Sequence, residues 1–131
     1  MSARSLRIDP GKPFFIYDSY GDWMATILNG TIFDSRGEYV GFIRGEQHDV
    51  YTASGEWIGN ILHDGRIVRR RSAPRQPLLK DLPPRPAKPG NLPARAPLPG
   101  QTADLGYDRI DVLEEDPDVF KRLSDLTPDV D

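Results

Sequence analysis

Cysteine is absent from all 131 residues, which excludes disulfides and thiolate metal sites. Histidine is nearly absent: His48 and His63 are the only two, each beside an acid in a turn-like stretch. Their spacing matches no zinc pattern, so they read as solvated turn residues rather than as a metal pair. No apolar run approaches the ~20 residues that span a bilayer, and Met1–Leu6 lacks the apolar stretch of a signal peptide. A cytoplasmic protein with no membrane partner is the expectation. Also missing are a phosphate-cradling glycine loop, a nucleophile elbow and any other catalytic signature. No catalytic residue, cofactor or metal is expected, and the chain reads as a non-enzyme.

Aromatic residues are missing from most of the second half. Ten of the twelve lie between Phe14 and Trp57, leaving only Tyr107 and Phe120 beyond. An apolar core can therefore form in the first half and hardly elsewhere. Charge is divided just as unevenly. Residues 1–65 carry five Lys/Arg against nine Asp/Glu, residues 66–100 nine against one, and residues 101–131 three against ten. An acidic domain, a basic arm and an acidic tail follow, divided at 1–72, 73–100 and 101–131.

The first half repeats itself. Tyr17-Asp18-Ser19-Tyr20-Gly21-Asp22-Trp23-Met24-Ala25-Thr26-Ile27 aligns with Phe33 to Ile43 and with Tyr51 to Ile61. Each copy reads aromatic, three turn residues, Gly, acidic, aromatic, aliphatic, small, any, Ile. Asp, Ser and Thr open turns by bonding nearby backbone amides, and glycine supplies the positive φ that closes them. The stretches after the glycines are rich in aromatic and β-branched residues, as strands are. Period-two alternation places Trp23, Ala25 and Ile27 on one face, and likewise Tyr39, Gly41 and Ile43, and Trp57, Gly59 and Ile61.

Asn29-Gly30 and Asp64-Gly65 are hairpin signals between the repeats, with a looser Gly45-Glu46-Gln47. The pattern predicts an all-β meander with strands near 14–17, 22–28, 31–34, 38–44, 49–52, 56–62 and 66–70. Seven strands leave an unpaired edge, and Leu6-Arg7-Ile8 is the expected eighth strand. Four hairpins then form a pseudo-four-fold ring. Asp18, Asp22, Asp34, Glu38 and Glu56 recur by repeat position, which is turn chemistry rather than a catalytic carboxylate pair.

The recurring Tyr/Phe-Asp-x-x-Gly-Glu-aromatic-aliphatic-Gly pattern resembles the four-fold β-flower domain of bacterial proteins, over about residues 5–70. The chain departs from that pattern at Thr52, where Asp is usual, and at Ala25, where Gly is usual. A single unit would also resemble a PRC-barrel strand pair, but three tandem copies argue against it. The resemblance implies a fold; it brings no general activity and no catalytic residues.

Residues 73–100 hold nine prolines and no aromatic, the composition of an extended spacer without a core of its own. Beyond it, Asp116-Pro117 opens a short helix near 117–126 whose stripe is Val119, Phe120, Leu123 and Leu126. That stripe is the expected contact with a protein partner or a sister subunit. Tyr107 to Leu113 alternates loosely and could add as a strand to a free sheet edge. The Arg66, Arg69, Arg70, Arg71 and Arg75 cluster offers an alternative: phosphate binding to nucleic acid. Against it, the cluster could pair with the acidic tail. A glycan or small-molecule site among ring-mouth aromatics is a weaker third reading.

The turn assignment is testable. Gly37→Val should lower domain stability by about 1–3 kcal/mol, because a β-branched residue resists positive φ. Equal melting temperatures for this variant and the parent would remove the repeat turn from the reading.

Overall fold

The computed structural model describes residues 8–120. They form one eight-stranded antiparallel sheet whose spatial order is its chain order. The strands are β1 (Phe14–Tyr17), β2 (Trp23–Leu28), β3 (Thr31–Asp34), β4 (Tyr39–Arg44), β5 (Asp49–Thr52), β6 (Trp57–Ile61), β7 (Ile67–Arg70) and β8 (Arg109–Asp111). A four-residue helix, α1 (Val112–Glu115), follows directly. The all-β meander expected from the repeats is what the chain adopts.

One backbone turn is used four times. Asp18 N–H donates to Asp22 O and Gly21 N–H to Asp18 O; the same pair recurs at 34–38, 52–56 and 62–66. Gly21, Gly37, Gly55 and Gly65 take φ between +87° and +95° there. The fourth turn, Leu62 to Arg66, shares this bonding without sharing the repeat sequence. In the first two turns the aspartate closes the loop: Asp18 Oδ1 accepts from Tyr20 N and Asp22 N, and Asp34 Oδ1 from Arg36 N and Glu38 N. Thr52 Oγ1 substitutes with one such bond, to Glu56 N at 3.2 Å.

After each repeat turn the register slips. Tyr17 pairs with Trp23 while Ile16 pairs with Ala25, and Phe33/Tyr39 and Tyr51/Trp57 show the same shift. The extra residue is Met24, Val40 or Ile58. This bulge corrects the expected alternation. Trp23 does not share a face with Ala25; its indole lies with Phe15 and Thr26 on the other side. Val40 and Ile58 enter the core in the aromatics' place, and Met24 packs against it. Bulges also bend and twist a strand, so three in succession curl the sheet.

The eighth strand corrects the expectation of Leu6-Arg7-Ile8. Ile8 is not in a strand, and residues 1–7 lie outside the described residues. β8 comes from the tail instead, with Val68 opposite Asp111, Arg69 opposite Ile110 and Arg70 opposite Arg109. The boundary at residue 72 is therefore crossed by the sheet itself, and the Tyr107–Leu113 alternation proves the useful signal. The helix described, α1, lies before the expected span of 117–126, and residues 117–120 of that span form a turn. Asp111 caps it by accepting from Leu113 N and Glu114 N, and Val119 N–H bonds Asp116 O in the turn that follows. Residues 121–126 of the expected helix lie outside the described residues.

The core is one cluster containing Ile16, Ile27, Ile32, Val50, Ile61 and Ile67 from the sheet and Val112, Leu113 and Val119 from the tail. At its seam the curled sheet is nearly closed. Tyr17 N–H donates to Gly65 O at 3.0 Å, and Ser19 N–H to Asp111 Oδ2 at 2.6 Å. A Cβ on Gly65 would stand 2.6 Å from Phe15 O, so the seam requires glycine sterically as well as conformationally.

Leu113, 1% exposed, is the test of the tail's structural share. Leu113→Ala should cost about 2–5 kcal/mol in chemical denaturation. A change near zero would mean that α1 lies outside the cooperative unit.

Candidate functional site

The proline-rich arm lies on the domain instead of standing away from it. From Leu79 to Ala103 it runs past the repeat turns in reverse order. Leu79 N–H donates to Gly55 O at 3.0 Å, and Leu79 and Leu82 pack over the Gly55 turn. Arg44 donates to Asp81 O at 2.8 Å, and Arg85 stands 5.9 Å above the Tyr39 ring. Lys88 crosses the Gly37 turn and donates to Arg36 O at 3.2 Å. The Tyr17 hydroxyl donates to Pro97 O, and Pro99 packs against Gly21. Antiparallel pairing puts these three turns on one rim of the sheet, and the arm belts that rim.

The chemistry follows from proline. Each proline removes one N–H donor but keeps its carbonyl, so a proline-rich segment has more acceptors than donors and a partner must supply the difference. Here Arg44, Tyr17 and Arg66 supply it. Turn glycines let the belt lie close: a Cβ on Gly55 would meet Leu82 Cδ2 at 2.9 Å and the Leu79 backbone at 3.1 Å. The rim is thus a seat for extended polypeptide, occupied by the chain's own arm.

Arg66 pins the belt's far end. It is 3% exposed; its guanidinium holds Asp64 Oδ2 at 2.8 and 3.0 Å, Ser19 Oγ at 3.1 Å and Ala103 O at 2.8 Å. A buried charge satisfied on four bonds is a structural anchor, since removing any one partner leaves the others desolvated. The expected arginine cluster is therefore divided: Arg66 and Arg71 line one cleft with Arg109, and Arg69 and Arg75 another. Arg71 bonds Tyr107 O and stacks over its ring, and Arg75 meets Glu56 Oε2 at 3.4 Å. Arg69 turns to the inner face, while Arg70 is exposed opposite Arg109 on β8.

The tail stripe is dispersed. Val119 is 3% exposed in the core, and Phe120 packs against Gly41, where a Cβ would meet its ring at 3.3 Å. Leu123 and Leu126 lie outside the described residues. Arg69, Arg75 and Val119 do meet, with Trp57, Ile110 and Glu115, around a cleft of about 510 Å³ beside α1. His48 takes φ +54° in the β4–β5 turn, and His63 is exposed. Among the described residues no three acidic or imidazole groups gather as metal ligands, and no helix is long and apolar enough to cross a membrane.

Sequence reasoning missed the belt because it searched the arm for a core and found none. The available signal lay elsewhere: tyrosines at strand ends and glycines in exposed turns form a surface without needing apolar residues from the arm.

A family model described as that of the 4-fold beta flower protein matches residues 15–104. The match runs through the arm and stops just after Ala103, where Arg66 holds it. No curated protein and no solved structure matches the chain.

Burial holds the Tyr17 hydroxyl above the ordinary tyrosine range, and the phenol can donate to Pro97 only while protonated. Its raised folded value means that this stabilisation is complete below pH ~10 and is lost as pH rises through it. Tyr17→Phe should cost about 0.5–1.5 kcal/mol at neutral pH. It should also speed tryptic cleavage after Arg95 and blunt the alkaline loss of stability. Unchanged cleavage would detach Tyr17 from the belt.

Proposed function

The chain belongs to the 4-fold beta flower family, and from the geometry of its rim we propose a non-enzymatic protein-interaction module that grips extended, proline-rich polypeptide. The observation that carries this reading is the belt itself: 25 residues, 79–103, pass the three repeat turns and meet donors from Arg44, Tyr17 and Arg66 aimed at backbone carbonyls. Recognition of this kind needs a preformed extended ligand and tolerates varied side chains. Tyr39 under Arg85 supplies the aromatic element that such surfaces favour, with burial raising its hydroxyl pKa and Arg85 lowering it. The cytoplasm, where a cysteine-free chain needs no oxidising conditions, is the compartment we assign to it.

This reading relocates the contact. The tail stripe supports the fold through Val119, and the rim takes over as the binding surface. A second reading, phosphate binding, retains one observation in its favour. Arg70 and Arg109 face each other across β7 and β8, both exposed, and like charges in such positions repel unless an anion lies between them. Affinity for random DNA or RNA that falls steeply with salt would support it.

The test is a titration of the isotope-labelled full chain with a synthetic peptide spanning residues 76–103. The chain would carry Leu82→Ala and Lys88→Ala, both on the arm, to loosen its own belt while leaving the donors of the seat in place. Saturable amide shifts should appear at Gly21, Gly37 and Gly55. Shifts confined to other residues, or none at millimolar peptide, would reduce the belt to a covalent strap and end this reading.

A further inference from the structure

We propose that the rim's partner is a second copy of this chain, with arms exchanged so that each copy's belt lies on its neighbour's repeat turns. The inference rests on the reading of the rim as a seat for extended polypeptide, and it names the occupant.

Three observations favour exchange. First, apart from the Arg66 anchor on Ala103 O, the belt is held by edge contacts. None of residues 73–103 belongs to the apolar core cluster, and the holding bonds at Gly55, Arg44, Arg36 and Tyr17 are separate and individually modest. Every one of them can form equally well with another copy's arm, because donor and acceptor are divided between domain and arm: the domain donates at Arg44 and Tyr17, and the arm donates at Leu79 and Lys88. Exchange therefore needs no new interface, which is what makes it a low-cost route to dimers.

Second, the arm has the reach. Between Arg70 of β7 and Arg109 of β8 the connection is long and proline-rich. At ~3.1 Å per residue an extended proline-rich segment of this length spans several domain radii. The turn at its start is closed by Ala73 N–H on Arg70 O.

Third, apolar side chains near the far end of the arm are uncovered. Leu98, between the two prolines that touch Tyr17 and Gly21, is 95% exposed, and Tyr20 in the adjoining turn is 77% exposed. In a single copy these side chains meet water. A sister copy joined through its belt is the surface that can cover them.

The chain's lack of cysteine makes the test clean. One full-length chain carries Arg36→Cys on the Gly37 turn; another carries Ala87→Cys beside Lys88, so the native contacts remain. After mixing at high concentration and slow dilution, a short bis-maleimide crosslinker is added. The expected result is a covalent heterodimer at least five-fold above that given by Glu46→Cys, which lies on the opposite rim, with Ala87→Cys. Heterodimer yield should rise with protein concentration, and Leu98→Ser with Tyr20→Ser should reduce it. Yield equal to the Glu46→Cys control at every concentration overturns exchange. If the peptide of residues 76–103 still shifts the rim amides in that case, the rim grips polypeptide but not its sister's arm. If neither occurs, both readings fall.

Discussion

The sheet is suspended from a backbone turn in which one residue both donates and accepts, closed by a glycine at positive φ and followed by one residue too many. The donor–acceptor pair fixes where each hairpin begins; the glycine lets it close; the extra residue shifts the register. Because the turn and bulge come together, every repeat makes the same bend in the same direction. Curvature is thus written locally, three times, and the near meeting of β1 with the β6–β7 turn is its accumulated result. The fourth turn shows how little side-chain chemistry this needs. Leu62 has no side-chain oxygen to offer, yet the backbone pair forms, while Asp64 accepts from the Arg66 amide within the loop.

The seam then collects what the repeats leave unsatisfied. Arg66 occupies the place held by an acid in the other three turns, and its charge is met by Asp64, Ser19 and the arm's carbonyl at Ala103. Asp111 joins from the other side, holding Ser19 N–H and capping α1 with its two oxygens. Four stretches far apart in the chain are tied here through two buried ionic side chains. Such a knot adds specificity more than raw stability, since its partners are correct in only one closed arrangement.

The sequence made the strands legible because alternation, hairpin dipeptides and repeat spacing are local signals, and seven strand positions follow from them. Trp23, Tyr39 and Trp57 were placed on the wrong face because a bulge leaves no mark in composition; Met24, Val40 and Ile58 look like ordinary outward positions until the register is seen. The eighth strand was sought at Leu6 to Ile8 because neighbours in sequence usually pair. Arg109 to Asp111 won that place through the belt, which delivers the tail to β7. The candidate site was the least legible part. A cluster such as Arg66 to Arg75 alternates sides of a strand, so closeness in sequence becomes separation in space. The belt's seat, by contrast, is built from tyrosines and glycines whose local roles already seemed complete.

The placement of Val112, Leu113 and Val119 at the centre of the core has a kinetic consequence. The hairpins close between near neighbours, whereas Ser19 must find Asp111 across 92 positions. Contacts of short separation form early, and long loops close late. On a ribosome the seven-stranded meander emerges first and stands with its inner face uncovered while the arm and tail are still being made. For that interval the growing chain exposes Ile16, Ile27, Val50 and Ile67 to the cell, and the core closes only once Val112, Leu113 and Val119 have emerged.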